Sequence, residues 1–239
     1  MGLVQELRTP MTSITGYVDL LVGESAGILG EMQRKFLQRV SANVSRLAAM
    51  LDDLVHITAL DTGQFTLTPQ PIDMLMLVED AITSATNQFR EKGLTVTLDL
   101  DDDLPELRAD PDAVRQIVGQ LLTNAYLVSP ADSEVIITAR RQMLDLDNSG
   151  GEKLTDSLYV AVEDRGGGIA PEDEPRVFAR KYKAENPLIQ GLGDTGVGLA
   201  IAKALVETQG GRLSLQTREG VGSIFSFALP LEPKLESEG

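Results

Sequence analysis

The sequence predicts an α+β protein in which an antiparallel helical hairpin precedes a sandwich of one mixed sheet covered by helices. Two kinds of periodicity carry this prediction. Apolar residues recur every three or four positions through residues 2–23 and 31–60, as they do in the seam of a helix bundle. From residue 94 onward, strand-like segments with alternating apolar residues are interspersed with amphipathic helices.

The two N-terminal helices are expected to pair with a second copy of the chain. Pro10 should kink the first helix, and residues 23–30 form a glycine-containing turn. Two helices with one apolar stripe each cannot bury both sides, so a dimeric four-helix bundle is favoured over packing on the rest of the chain. The stripes consist of Leu7, Met11, Ile14, Val18 and Leu21, and of Phe36, Val40, Val44, Leu47, Leu51 and Leu54.

A separate domain is expected after the hairpin, with the boundary in an extended, proline-punctuated connector at residues 65–71. On this division the hairpin covers residues 1–66, the sandwich covers residues 67–232, and residues 233–239 form a disordered tail.

Helix starts and strand patterns define the elements of this second domain. Asp73 and Asp110 are typical helix N-caps, and Pro111 suits the first position of a helix. Alternate positions from Leu94 to Leu100 are leucine or valine, which predicts a strand with one buried face. The remaining predicted elements are strands at 135–139, 158–162, 212–216 and 223–229, a helix at 196–207, and the stripe Val114, Ile117, Val118, Leu121, Leu122 and Ala125 on the helix after Asp110.

Composition excludes several classes of function. The net charge of −15 disfavours nucleic acid as a partner, and the absence of cysteine excludes disulfide and thiol chemistry. His56 is the single histidine, so a multi-histidine metal site is excluded. We find no signal peptide and no apolar run long enough to span a bilayer, so a cytoplasmic location is expected, with membrane attachment only through segments outside these 239 residues.

A first candidate site is the segment Asp164-Arg165-Gly166-Gly167-Gly168-Ile169, which follows a predicted strand. A carboxylate at a strand end can accept a hydrogen bond from an exocyclic amine, and glycines beside it let the backbone approach a flat ring. An ordinary glycine-rich turn would have the same sequence, so this motif alone does not decide between the two.

A second candidate site is the segment Gly191-Leu192-Gly193-Asp194-Thr195-Gly196-Val197-Gly198-Leu199, which opens a helix. Free amides at a helix N-terminus suit a polyphosphate. The order of residues is not that of a Walker loop, and the segment follows a loop rather than the strand that a dinucleotide motif requires.

A third candidate lies mid-helix, where Gln120 and Asn124 share one face because they are four residues apart. The carbonyl oxygen of Asn124 would be a suitable ligand for a phosphate-bound Mg²⁺ ion. A solvent-facing asparagine is the alternative for this box taken by itself.

The three segments together, in this order, resemble the ATP-binding GHKL-type fold shared by histidine kinases, type II topoisomerases and heat-shock chaperones. Upstream, the segment from Val4 to Ser13 is similar to the phosphoacceptor box of a sensor histidine kinase. The resemblance to a histidine-kinase transmitter core covers residues 3–230, and segments 109–112 and 176–182 are similar to the lead-in to the N box and to the F box.

This resemblance implies a site for ATP or ADP with Mg²⁺. Asn124 would hold the metal ion and Asp164 would read the adenine amine, above a floor shaped by Gly166 and Gly168. The phosphate-side residues implied by the resemblance are Gly193, Gly196 and Gly198, which also hinge a lid over 179–195, together with the lid cations Arg180, Lys181 and Lys183. Exposed cations without a ligand are an equal alternative for these three basic residues.

The phosphoacceptor box departs from the family pattern at its central residue. Gln5 stands where the family has its acceptor histidine, and an amide cannot take a phosphoryl group as imidazole does. Glu6 matches the acidic residue often assigned as general base, and Thr9 matches a position linked to phosphatase activity. The resemblance also implies that the chain forms a homodimer, and that this homodimer acts with a response regulator or a partner kinase.

Other positions depart from the family pattern as well. Leu127 replaces a basic residue that contacts phosphate, and Gln120 and Gln209 replace an asparagine and a histidine. These changes favour natural drift at Gln5 over a single trapping substitution. Two functions stay open: a kinase core that binds Mg-ATP without phosphorylating itself, and a non-catalytic pseudokinase scaffold. A stand-alone ATPase is disfavoured because its glutamate base would fall at Gln120.

Overall fold

A computed structural model of the chain describes residues 11–19, 21–22, 30–37, 39–41, 43–44, 47, 58, 67–147, 154–179 and 197–232. The chain divides into two compact units, Met1–Gln64 and Phe65–Gly239.

The second unit contains three helices and seven strands within the described residues. The helices are α1 (Met74–Glu91), α2 (Pro111–Val128) and α3 (Gly198–Thr208). The strands are β1 (Gln70–Ile72), β2 (Thr95–Leu100), β3 (Leu107–Ala109), β4 (Glu134–Leu144), β5 (Thr155–Asp164), β6 (Arg212–Arg218) and β7 (Gly222–Pro230). A 3-10 turn spans Glu174–Arg176.

The strands form a mixed sheet, as the sequence predicts. Five strands pair in the order β2-β4-β5-β7-β6, with β2 parallel to β4 and every other pair antiparallel. Strands β1 and β3 form a separate two-stranded antiparallel sheet. The helices pack beside one another, α1 against α2 and α2 against α3. The predicted α+β sandwich is confirmed.

The predicted helix starts are confirmed by their capping hydrogen bonds. Asp73 accepts from the amide of Met76 at 3.2 Å, and Oδ1 of Asp110 accepts from the amides of Asp112 and Ala113 at 3.0 Å. The second carboxylate oxygen of Asp110 accepts from the amide of Thr68 at 2.8 Å. One aspartate therefore both starts α2 and holds the chain that enters the domain.

The core lies between the sheet and α2. All six residues of the predicted α2 stripe are at most 2% exposed, and Val135, Ile137 and Ala139 of β4 are fully buried. Burial of so many aliphatic side chains provides the main stabilisation of this unit.

The predicted buried face of β2 is only partly correct. Leu94 is buried but precedes the strand, Val96 is half-buried, and Leu98 is 41% exposed. The reason is topological, since β2 is the edge strand of the described sheet and has one strand neighbour there. The sequence pattern identifies which side chains share a face but not whether another element covers that face.

Two further differences concern strand length. The three-residue strands β1 and β3 are too short for an alternating pattern to indicate them. Strands β4 and β5 extend past their apolar cores into a polar stretch, where Arg141 pairs with Asp156 across the two strands. Strand pairing, rather than local propensity, makes these residues extended.

Gln209, at the end of α3, joins two elements. Its Nε2 donates to the carbonyl of Leu205 at 3.1 Å, and its Oε1 accepts from the amide of Asp110 at 3.0 Å. The residue that departs from the family pattern here therefore links the end of α3 to the start of α2.

In the first unit, the described residues from 11 to 22 and from 31 to 47 are helical. Val18 and Val44 are buried and Met11 is half-buried, whereas the other described members of the apolar stripes are exposed. Their exposed fractions are 43% for Ile14, 47% for Leu21, 57% for Phe36, 42% for Val40 and 53% for Leu47. The kink at Pro10, the turn at 23–30 apart from Gly30, and the tail at 233–239 lie outside the described residues.

Candidate functional site

Asp164 ends strand β5 and is the buried carboxylate of the site, only 2% exposed. Its Oδ1 accepts from the amide of Gly166 at 2.8 Å and from the amide of Ser223 at 3.3 Å. Its Oδ2 is buried and has no hydrogen-bond partner among the residues that the structure describes. Two backbone donors therefore fix the carboxylate and leave one oxygen without a partner in the described part of the chain.

Burial shapes the electrostatics of this carboxylate. Loss of hydration raises the pKa of Asp164 to about 6, against the opposing effect of its two backbone hydrogen bonds. Glu163 raises the pKa a little further, and Arg165 lowers it. Arg165 forms an ion pair with Glu163 at 2.7 Å, so it is not dedicated to Asp164. A buried acceptor with a spare oxygen is suited to a ligand that brings its own hydrogen-bond donor.

The glycines after Asp164 are required by close contacts. A Cβ on Gly166 would lie 2.8 Å from Oδ1 of Asp164 and 2.9 Å from Cγ2 of Val128. Gly168 adopts φ +68°, and a Cβ there would collide with the carbonyl of Arg218. No described atom lies within 4 Å of a Cβ built on Gly167, so the middle of the loop is open.

The loop is tied to the hairpin of β6 and β7. The amide of Ile169 donates to Oγ1 of Thr217 at 3.0 Å, and the amide of Gly220 donates to the carbonyl of Gly167 at 2.7 Å. Thr217 and Ser223 share a hydrogen bond at 2.9 Å between their hydroxyls.

Sequence reasoning missed Thr217 and Ser223. Ser223 is opposite Asp164 in the β5–β7 register, 59 residues away along the chain. The signal that could have found it is this pairing, because the residue opposite a functional strand end must lie beside it.

Three positions on one side of α2 bring the candidate segments together. A Cβ on Gly198, the first residue of α3, would collide with Oε1 of Gln120, so Gln120 reaches the start of α3. Val128 contacts the glycine loop beside Asp164. Asn124 lies midway, one helical turn of about 6 Å from each. The side of α2 that carries Gln120, Asn124 and Val128 therefore extends from the start of α3 to the carboxylate of Asp164.

Asn124 is half-buried, and its side chain makes no hydrogen bond to any residue in the described part of the chain. Residue 197, the N-cap of α3, provides no side-chain hydrogen bond to the helix start. Within the described residues, an amide without a partner and backbone N–H groups without a side-chain cap are therefore present at the end of the site away from Asp164. These groups suit a phosphate-bound cation and an anion, respectively.

Leu127 is 7% exposed and belongs to the core. At the position where the family pattern has a basic residue, this chain therefore has a buried aliphatic side chain. Phe178, in the segment similar to the F box, packs edge-on against Phe225 with ring centroids 6.2 Å apart.

The structure thus brings together Asp164, Gly166 and Gly168 at one end of the site, and Asn124 and Gly198 toward the other. The other predicted site residues, Gln5, Glu6, Thr9, Arg180, Lys181, Lys183, Gly193 and Gly196, lie outside the described residues. The described part of the chain contains no group of three or more histidine, cysteine or acidic residues arranged for a metal ion. It also contains no helix long and apolar enough to cross a membrane.

Comparison with known proteins agrees with this architecture. Residues 109–233 match the model of the histidine kinase-, DNA gyrase B-, and HSP90-like ATPases. Residues 2–63 match the His Kinase A (phospho-acceptor) domain. The chain belongs to the sensor histidine kinases of two-component signalling, with a phosphoacceptor-type domain followed by an ATPase-type domain.

Individual relatives are similar to this chain over nearly its whole length. The chain is 30% identical to the "Non-motile and phage-resistance protein" of Caulobacter vibrioides over 96% of its own length and 26% of that protein. It is 28% identical to the "Sensor histidine kinase WalK" of Bacillus subtilis over 98% of its length and 36% of that protein. Its fold matches full-length ShkA, crystallised with AMPPNP, with a TM-score of 0.72 at 24% identity over 97% of this chain and 45% of that one. The chain thus corresponds to roughly a quarter to a third of these curated relatives.

Proposed function

We propose that the chain is a histidine-kinase core that binds Mg²⁺ with ATP or ADP but does not phosphorylate itself at position 5. The observation that carries the nucleotide part is the buried Oδ2 of Asp164, which has no hydrogen-bond partner among the described residues and lies beside a loop whose Gly166 and Gly168 leave no room for a Cβ. The amine of adenine would donate to this oxygen, and Gly166 and Gly168 would accept the ring.

The phosphates would extend from Asp164 toward Asn124 and the start of α3, along the side of α2 that carries Gln120 and Val128. Gly198 provides a helix N-terminus there, and Gly193, Gly196, Lys181 and Lys183 would complete the phosphate side. Asn124 fits Mg²⁺ as a single neutral ligand, because this ion usually takes few protein ligands and shares the phosphates. Bound Mg²⁺ would neutralise phosphate charge.

The chemistry at position 5 follows from the side chain. A neutral histidine nitrogen has a lone pair with which to attack the γ-phosphoryl group, whereas the amide nitrogen of Gln5 shares its lone pair with the carbonyl. Glu6 would then have no imidazole to activate, and Thr9 would retain only a role toward a phosphorylated partner. Such a core could still phosphorylate a partner kinase or act on a response regulator.

A pseudokinase scaffold is the second candidate function, and a specific observation favours it. Leu127 is buried where a cation would meet phosphate, so phosphoryl transfer loses one electrostatic contact in addition to its acceptor. In both functions the hairpin would form a homodimer through its exposed apolar stripes.

Titration calorimetry with Mg-ADP tests the nucleotide site. The parent protein should bind with a Kd in the micromolar to millimolar range. Asp164→Asn should weaken binding about 10- to 100-fold, because a hydrogen bond to a charged group is worth about 1.5–3 kcal/mol. Asp99→Asn, which changes an exposed carboxylate paired with Arg140, is the matched control and should bind as the parent does.

Loss of all binding heat in a folded parent protein would contradict the nucleotide site and leave the scaffold. Equal affinities of Asp164→Asn and the parent would show that nucleotide binds elsewhere. Asn124→Ala separates the contribution of the metal ion to affinity from that of the base. This variant should weaken the binding of Mg-ADP more than the binding of ADP measured in the presence of a chelator.

A further inference from the structure

Apart from the candidate site, a cavity of about 320 Å³ opens between α1 and the edge strand β2. Its lining is mainly apolar and includes Ile82, Ala85, Phe89, Leu94, Val96 and Leu122. This volume falls at the lower end of the range of about 300–1,000 Å³ that is typical of sites for small organic ligands.

The cavity is separate from the nucleotide site. Leu122 is its contribution from α2, and Asn124 lies two residues further along the same helix, about 200° around the axis. The two sites therefore use opposite sides of α2, and the residues that line the cavity have no role in the proposed nucleotide site.

The closed corner of the cavity is fixed by several contacts. Gly93 adopts φ +72°, and a Cβ there would collide with the carboxylate of Asp132, whose amide donates to the carbonyl of Lys92 at 3.1 Å. Lys92 donates through Nζ to the carbonyl of Tyr126 and lies 4.9 Å from the centre of its ring. The ring of Phe89 lies 5.9 Å from that of Tyr126. These contacts hold the α1–β2 corner in place, so the space does not close by a small shift of the helix.

One charged side chain lines the cavity, the guanidinium of Arg90. It is exposed and has no ion pair with any described residue, although the chain carries a net charge of −15. The other polar side chain of the lining, Thr86, donates its hydroxyl proton to the carbonyl of Ile82 at 2.8 Å. The cavity therefore combines an apolar interior with one cation that has no ion pair among the residues described.

We propose that this cavity binds a small anionic amphiphile, with an aliphatic chain among Ile82, Ala85, Phe89, Val96 and Leu122 and a carboxylate at Arg90. The apolar lining supplies affinity by burying the chain. The guanidinium selects the anion, because it offers a carboxylate a two-pronged hydrogen bond.

Decanoate is the probe, titrated as a monomer into the full chain labelled at isoleucine, leucine and valine methyl groups. We expect saturable shifts at the methyl groups of Ile82, Leu94, Val96 and Leu122. Arg90→Gln should weaken binding about fivefold, the effect of an exposed charge pair worth about 1 kcal/mol. Arg108→Gln changes an exposed arginine outside the lining that has no ion pair in the described regions, and it should leave the affinity unchanged.

Ala85→Phe fills the cavity and should abolish the shifts. If phenylalanine disturbs the fold, Ala85→Met is used in its place and should weaken binding by an intermediate amount. Far-ultraviolet circular dichroism checks that each variant is folded. The absence of saturable shifts in the parent would overturn the site. Equal binding of decanoate and decyltrimethylammonium, or equal affinities of parent and Arg90→Gln, would overturn the assignment of an anion.

Discussion

The hairpin and the sandwich carry the same kind of apolar stripe, but they bury it to different extents. The stripe of α2 is buried throughout, whereas most described stripe residues of the hairpin are exposed. On α2 the six stripe residues are at most 2% exposed, whereas Phe36 and Leu47 of the hairpin are 57% and 53% exposed. A periodic stripe thus shows that a helix needs a partner, and only burial shows whether the partner lies in the same chain. The sandwich is complete within one chain, and the hairpin is expected to be completed by a second copy.

The largest expected effect of this difference is on stability. Ile117 is fully buried and Ile14 is 43% exposed, so the same substitution can be made in both regions. Ile117→Ala should lower the free energy of unfolding of the sandwich by about 2–5 kcal/mol, through lost burial and a new cavity. Ile14→Ala should change it by less than about 0.5 kcal/mol. Urea unfolding followed by circular dichroism measures both, and equal losses would contradict the contrast.

The next effect concerns association. Phe36→Glu places a charge in the exposed stripe and should raise the Kd of the dimer at least 100-fold, because an unpaired charge would be buried in the bundle. Met76→Glu, at a position on α1 that is 63% exposed, is the matched control. Light scattering should give about twice the 25.8 kDa of one chain for the parent and the control, and one chain mass for Phe36→Glu. A monomeric parent at micromolar concentration would refute the four-helix bundle.

A third effect is specific to the sandwich and depends on pH. Since the pKa of Asp164 is raised to about 6, ADP affinity should fall about tenfold between pH 7.5 and pH 5, where the carboxyl is mostly protonated and no longer accepts from the amine. Asp164→Asn should have a flat profile over this range. Calorimetry at each pH measures the change, and a flat profile for the parent would remove Asp164 from the base site.

The carboxyl of Asp164 should also affect the stability of the unliganded protein, and this effect has the opposite pH dependence from that of ADP affinity. The folded carboxyl holds its proton to a higher pH than the unfolded one, whose pKa is near 3.8, so unliganded folding binds protons between these values. The contribution of Asp164 to stability therefore increases as the pH falls through about 6 toward 3.8. The difference in melting temperature between the parent and Asp164→Asn, measured over this interval, isolates that contribution.

The smallest effect concerns the link between α3 and α2. Gln209→Ala removes the bond to Leu205 and leaves the amide of Asp110 without its partner, which should cost about 1 kcal/mol of unfolding free energy. Gln209→Glu keeps an acceptor for the amide of Asp110 and should lose less. Thermal unfolding measures both variants, and a Gln209→Ala variant as stable as the parent would show that the link is not stabilising.

Local sequence was sufficient where a motif and its contacts lie close together in the chain. Asp73, Asp110 and Asp164 each accept a hydrogen bond from an amide within three residues, in a cap or a turn, so their neighbours in sequence indicate them. Gly166 was predictable in part for the same reason, because a Cβ there would meet Asp164, whereas the contact that requires glycine at position 168 is with Arg218, far along the chain.

The features that local sequence did not predict depend on contacts between residues that are far apart in the chain. Ser223 reaches Asp164 across 59 residues, and Gln209 reaches Asp110 across 99 residues. The exposure of Leu98 depends on the edge position of β2, and the cavity beside it depends on how α1 packs. Periodicity assigns a residue to one face of its helix or strand, but it does not identify the element that packs against that face.

Phosphoryl transfer from γ-labelled ATP tests the central claim most directly. The parent has His56 as its single histidine and should remain unlabelled, whereas Gln5→His should acquire an acid-labile phosphate, with Gln5→Asn as the unlabelled control. Nucleotide binding and dimer mass are measured on the same three proteins. A Gln5→His variant that binds Mg-ATP, forms the dimer and still takes no label would contradict the account, as would label on the parent.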